Sequence, residues 1–196
     1  MLKELKEFLA EFSFLRPSDV KALASVCRVQ RFEKGTIILQ AGASDYNMYL
    51  VVKGFTRTYV IREDGEERTV FLASAGMGCG SSKTIYKDQP SNENVVALEN
   101  CVVLVWDFPE FKKACKNHPN LYRLYSNMLE RSFIEAVERL EFHSVMNPDQ
   151  RYEYLIEHRP ELLEKVPLKF IASYIGITPV SLSRLRARLV GKSSKN

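Results

Sequence analysis

Between Cys27 and Trp106 the chain alternates short β-rich runs with glycine punctuation, and this texture limits its fold more than any other feature. Arg28–Phe32, Thr36–Gln40, Met48–Val52, Thr56–Arg62, Arg68–Leu72 and Cys101–Asp107 read as strands. Their β-branched and aromatic residues suit a pleated, half-buried surface. Asp64-Gly65 between two such runs predicts a tight hairpin in which both residues take positive φ. Gly35, Gly42 and Gly54 mark further turns. Many short strands at near-regular spacing imply a sandwich or barrel. Gly76-Met77-Gly78-Cys79-Gly80-Ser81-Ser82 breaks the pattern. Its alternating glycines either admit a close ligand such as a phosphate or form a plain connecting loop.

Helical spacing flanks this region on both sides. Leu2, Leu5, Leu9 and Phe12 recur at three and four residues. Arg16-Pro17-Ser18-Asp19 starts a second short helix, whose apolar face is Val20, Leu23 and Ala24. Leu121 to Phe142 is the longest helical run. It carries one stripe of Leu121, Tyr125, Met128 or Leu129, Phe133, Ala136 and Leu140, and a second set of Leu124, Ile134 and Val137. A helix apolar on more than one side packs on its own domain and also on a second chain, or serves as an ordinary core helix. Asn147-Pro148-Asp149 ends it. Gln150 to His158 and Glu161 to Lys165 follow as helices interrupted by Arg159-Pro160. The expected layout is a first domain over residues 1–117, a long helix over 118–146, and a C-terminal domain over 147–196.

Leu168 to Leu189 obeys the packing rules of a helix-turn-helix. Ile171 and Ile175 supply the inner face of its first helix, and Ala172 is small enough to let the second cross closely. Gly176 stands where the turn needs a left-handed residue, and Ile177 plugs that turn. Thr178 can cap the second helix, while Pro179 sits in its first turn, where the missing N–H costs nothing. Leu182, Leu185 and Leu189 make its buried stripe. Ser181, Arg184 and Arg188 then point away from that stripe. In a major groove arginine can bond guanine O6 and N7, and serine can reach a base or a phosphate. Lys169 and Arg186 are placed for phosphates. The alternative is a small helical hairpin with a basic solvent face.

Charge distribution bears on this choice. The net charge is +4, yet Lys169, Arg184, Arg186, Arg188, Lys192 and Lys195 all lie between Val166 and Asn196, a segment with no acid. Those six cations leave the rest of the chain at −2. A basic tail on a mildly acidic body fits a polyanionic partner, or else a solvated helix face.

Several classes lose support. Cys27, Cys79, Cys101 and Cys115 form no C-x-x-C pair, so reduced structural thiols are expected rather than a zinc or iron–sulfur site. His118, His143 and His158 are scattered, and residues 28–107 hold no histidine for a cupin-type metal enzyme. No catalytic residue, metal or cofactor is expected. The N-terminus is too charged for a signal peptide, and Val95–Trp106 is too short to span a bilayer. Cytoplasmic residence without membrane contact follows as an expectation.

Lys34-Gly35-Thr36-Ile37-Ile38-Leu39-Gln40-Ala41-Gly42, Met48-Tyr49-Leu50-Val51-Val52-Lys53-Gly54 and Ile171-Ala-Ser-Tyr-Ile-Gly-Ile-Thr-Pro with Leu182-Ser-Arg-Leu-Arg resemble the Crp/Fnr family, the cyclic-AMP receptor protein and its relatives. The likeness covers nearly the whole chain. It implies an α+β fold with an N-terminal cyclic-nucleotide-binding-type β-roll, a long dimerisation helix and a C-terminal helix-turn-helix domain of winged-helix type. It implies a homodimer on double-stranded DNA, with RNA polymerase a candidate partner and an unknown small-molecule effector in the roll. DNA contacts carry over to Lys169, Thr178, Ser181, Arg184, Arg186 and Arg188, and ligand contacts to Gly78, Gly80, Ser81, Ser82 and Ser91.

Departures from the family pattern shape the expected function. Members that bind cyclic AMP place Gly-Glu, then Arg-Ser or Arg-Thr, around this loop. Here the pairs are Gly80-Ser81 and Pro90-Ser91, so the ribose acceptor and the phosphate-pairing arginine are missing. Lys83 or Lys87 lacks the fork geometry of arginine. No physiological binding of cyclic AMP is expected. The clustered N-terminal cysteines of iron–sulfur relatives and the roll histidine of haem relatives are absent from the sequence. Pro179-Val180 replaces the Arg-Glu that many relatives carry, and seven residues after Leu189 are too few for a full wing. A ligand-binding roll that acts through protein contacts rather than DNA is the alternative function.

Overall fold

The computed structural model describes residues 3–193, with side chains as far as Leu189. Two helices come first, α1 (Lys3–Leu9) and α2 (Pro17–Val26). Eight strands follow: β1 (Cys27–Phe32), β2 (Ile37–Leu39), β3 (Asn47–Lys53), β4 (Thr56–Ile61), β5 (Glu67–Ala73), β6 (Gly78–Cys79), β7 (Asn94–Ala97) and β8 (Cys101–Asp107). Helix α3 (Ser82–Lys87) lies between β6 and β7. Six helices complete the described chain: α4 (Phe108–Asn117), α5 (Pro119–Ser144), α6 (Pro148–His158), α7 (Pro160–Lys165), α8 (Leu168–Ile175) and α9 (Pro179–Ser193).

The strands form two four-stranded sheets, β1-β8-β3-β6 and β2-β7-β4-β5, with antiparallel pairing throughout. Leu39, Val51, Val95, Val103 and Val105 fill the space between them. The other face of the first sheet, through Leu50, Leu104 and Trp106, packs on Leu5, Leu9, Leu23, Phe111, Leu121 and Leu124 of the surrounding helices. β8 is therefore covered on both faces, which is why its sequence is continuously apolar rather than alternating. A third core joins Leu155, Leu162, Ile171, Ile175, Leu182 and Leu185 of the C-terminal helices to Phe142 of α5 and Leu72 of β5.

Four elements beyond the sequence expectation appear: β6, α3, β7 and α4. The local signal for α4 is Asp107, whose carboxylate accepts from the Glu110 N–H (2.9 Å), with Pro109 in the first turn. The hairpin at Asp64-Gly65 exists but differs from expectation. Gly65 alone is left-handed (φ 82°), and among the described residues Asp88 is the one non-glycine with positive φ. The Gly65 N–H donates to the Arg62 carbonyl (2.9 Å), and the Arg62 N–H donates to the Glu66 carbonyl (2.9 Å). The turn is thus a longer one that ends on a left-handed glycine. The Asp64 carboxylate accepts from the Glu66 N–H (3.0 Å) instead of turning its own backbone over.

Helix α5 buries side chains near its ends, at Leu121, Leu124, Tyr125 and Phe142, and its middle touches the chain through Arg131, which pairs with Glu11 (3.2 Å), and Arg139, which lies over the Phe71 ring (4.6 Å). Phe133 (70% exposed), Ile134, Val137 and Leu140 (66% exposed) stand outside the core. Among the described residues no helix is long and apolar enough to cross a membrane.

Candidate nucleic-acid interface

Helices α8 and α9 are joined by a turn that the sequence specifies residue by residue. Gly176 ends α8 in the left-handed region (φ 81°), where a side chain would be strained and would also crowd the Arg151 guanidinium at 3.1 Å. The Ile177 N–H then returns to the Ala172 carbonyl (2.9 Å), closing the helix end. The Thr178 hydroxyl accepts from the Ser181 N–H (3.1 Å), which caps α9, and Pro179 begins that helix. Leu182 and Leu185 are buried against α8, while Leu189 is partly buried in the same core.

The opposite face of α9 is polar and exposed. Ser181, Arg184, Arg186 and Arg188 are all exposed, as is Val180. Among the described residues no protein group bonds the Arg184 or Arg186 side chain. Thr178 and Ser181 instead bond each other through their hydroxyls (3.0 Å). Arg188 also points away from the leucine stripe, and its Nη2 donates to both carboxylate oxygens of Asp149, at 2.9 and 2.7 Å. Asp149 opens α6, so Arg188 leans back on its own domain. Lys169 lies on α8 with its ammonium 4.9 Å from the Phe170 ring centroid. Lys192 and Lys195 lie outside the residues with described side chains. Helix α9 continues to Ser193, leaving no wing among the described residues.

Of the roll residues expected to meet a ligand, Ser81 and Ser91 have hydroxyls that serve the loop itself. Gly78 is in β6, paired with Leu50. Gly80 is crossed by the Tyr49 ring, which a Cβ there would meet at 3.2 Å. Buried Ser81 caps α3, accepting from the Thr84 N–H (3.3 Å). Buried Ser91 donates to the Glu93 carbonyl (2.9 Å) and accepts from the Glu93 N–H (3.1 Å). Ser82 is exposed at the first position of α3, as are Lys83 and Lys87. Burial pushes the Cys27 and Cys79 thiols up to about 12, so both stay protonated and unreactive at neutral pH. Among the described residues there is no group of three His, Cys, Asp or Glu side chains that could hold a metal ion.

Residues 29–118 match the cyclic nucleotide-binding domain family. The solved structure of FixK2 from Bradyrhizobium japonicum resembles the chain with a TM-score of 0.71 over 86% of each chain, at 19% identity. The c-di-GMP-responsive global regulator CLP of Xanthomonas campestris gives 0.70 over 91% of this chain and 93% of its own, at 11% identity. The catabolite activator protein of Thermus thermophilus gives 0.53 over 93% and 87%, at 21% identity. The chain has the Crp/Fnr fold. Its β-roll is of the cyclic nucleotide-binding type, and the helices that follow complete the Crp/Fnr fold. No curated protein matches it in sequence.

Proposed function

We propose that this Crp/Fnr-fold chain is a DNA-binding transcriptional regulator that acts as a homodimer on an inverted repeat. The observation that carries the reading is the exposed, acid-free face of α9, where Ser181 and Arg184 stand one turn apart beside a buried leucine stripe, with no protein group bonded to the Arg184 side chain among the described residues. An arginine on such a face can donate two bonds to one guanine, and its neighbours can neutralise phosphates. The uncovered apolar face of α5 supports a second copy, because Phe133 and Leu140 gain most by leaving water together. Two recognition helices would then enter successive major grooves about 34 Å apart. The regulator would work in the cytoplasm, where RNA polymerase is the partner at a promoter, and it would perform no catalytic step.

Cyclic AMP is not its signal. Ser81 and Ser91 have their hydroxyls engaged in closing the loop, and no arginine stands at either family position to pair a cyclic phosphate. Calorimetry is expected to show no binding, and micromolar affinity would overturn this part. Selection of random duplex DNA by the purified chain without ligand tests the whole reading. Enrichment of an inverted repeat with half-sites one turn apart is the expected result. A bound-DNA signal insensitive to salt would instead indicate a roll that works through protein contacts, because phosphate neutralisation gives a steep salt slope.

A further inference from the structure

The sheet β2-β7-β4-β5 ends on β5, whose outer edge has no strand beside it. Helix α8 covers that edge instead. The Ser173 hydroxyl accepts from the Thr69 N–H (2.9 Å) and faces the Glu67 carbonyl (3.4 Å), taking the place of a ladder rung. Further along, Arg159 Nη2 donates to the Leu72 carbonyl (3.4 Å) and the Ser74 hydroxyl (3.2 Å).

Between these points lies Arg57 of β4, only 3% exposed. A buried guanidinium is costly unless its donors are matched. Arg57 donates from Nε to the Thr69 hydroxyl (2.8 Å) and from Nη1 to the Glu67 carboxylate. Its Cζ lies 4.4 Å from the Tyr59 ring centroid and 4.1 Å from that of Phe170 on α8. The Phe170 ring also carries the Lys169 ammonium. The roll therefore grips α8 through a cation–π contact and a backbone rung, and holds the α6–α7 junction of the same helical unit through Arg159. Separate contacts along one edge define an orientation, which a single contact cannot do.

We propose that the β4–β5 edge of the roll is a docking platform that sets the orientation of the helix-turn-helix through direct contacts of the chain's own side chains, with Arg57 its positioning residue. Arg57 does not touch DNA in this arrangement. It holds Phe170, and through it α8, so that α9 is presented at a fixed angle to α5. On a two-fold site that angle decides whether both recognition helices engage at once, and simultaneous engagement multiplies affinity. The DNA consequence rests on the proposed regulator function, whereas the docking itself does not.

The test uses the full chain and two readouts. Amide hydrogen exchange at Thr69 reports docking without DNA, since an uncovered edge amide exchanges freely. Arg57→Ala is expected to speed Thr69 exchange on the order of tenfold or more by releasing α8. Phe170→Leu keeps apolar volume, removes the ring, and provides the same measurement where Arg57→Ala does not fold. In DNA binding, both variants are expected to lose on the order of tenfold or more on the two-half-site duplex and to keep wild-type affinity for a single half-site. Unchanged Thr69 exchange in both variants overturns the docking. Faster exchange with equal losses on half and full sites overturns the positioning role. If the wild-type chain binds no DNA, the regulator reading fails and Thr69 exchange alone decides the platform.

Discussion

Arg151 of α6 donates from Nη1 to the carbonyl of Ile175 at the end of α8 (2.8 Å). Its Nε donates to the Phe142 carbonyl (2.9 Å) and its Nη2 to the His143 carbonyl (2.7 Å) at the end of α5. One guanidinium thus satisfies the last carbonyls of two helices, where orphan acceptors and the negative end of each helix dipole favour a cation. It also joins the long helix to the helix-turn-helix.

Arg151→Ala is expected to destabilise the C-terminal core by about 3 kcal/mol, because three charge-assisted bonds are lost and partly buried carbonyls are left unpaired. Urea denaturation followed by far-UV circular dichroism measures this. A change below about 0.5 kcal/mol, the range of ordinary surface substitutions, would show that water replaces the guanidinium without penalty.

Arg184→Ala should leave stability near wild type, since the side chain is exposed and unbonded among the described residues. Its effect on DNA is expected to be roughly 1–3 kcal/mol, confined to one position of each half-site. Binding to a panel of single-base operator variants reads this out. A uniform loss across the panel would assign Arg184 to phosphate.

Phe133→Glu places a charge in the middle of the uncovered face of α5. The isolated fold should tolerate it, because Phe133 is 70% exposed in the single chain. Association is expected to weaken by at least about 2 kcal/mol, as for an anchor residue at the centre of an interface. Sedimentation velocity that still shows a dimer at micromolar concentration would place the interface elsewhere.

His143 offers a pH dependence. It is half-buried at the end of α5, edge-on to Phe142 and to Tyr174 of α8. Burial, then the charges of Arg151, Arg68 and Arg139, hold its imidazole below the ordinary 6.5. As pH falls, the unfolded chain takes up this proton first. The stabilising contribution is therefore complete above pH 6.5 and is lost between there and the lower folded value. Stability should decline as pH falls below about 6.5, and His143→Gln should flatten that decline. Parallel profiles for the two proteins would remove His143 as the cause.

Much of the α8–α9 unit was legible because its constraints are local. A left-handed glycine, a capping threonine, a proline at the helix start and a leucine stripe each act within a few residues. The same reasoning found the length of α5 and most strands, whose residues alternate or are β-branched. It missed β7 and α3, which are short and depend on neighbours for their form, and it set Asp64 in a turn geometry that its own side chain makes unnecessary.

The sequence by itself determined the order of elements, the helix-turn-helix and the acid-free basic segment, because periodicity, capping and charge are properties of neighbouring residues. Tertiary structure decided which of these features meet. Thr69 and Ser173 stand 104 residues apart in the chain yet share a hydrogen bond, and exposed Arg188 pairs with Asp149, 39 residues before it. It also decided that Ser81 and Ser91 bond their own loop, and that Phe133, Ile134, Val137 and Leu140 of α5 are left exposed. Such outcomes depend on which surfaces remain free once the cores have packed, and that is set by the whole arrangement of layers rather than by any local run of residues.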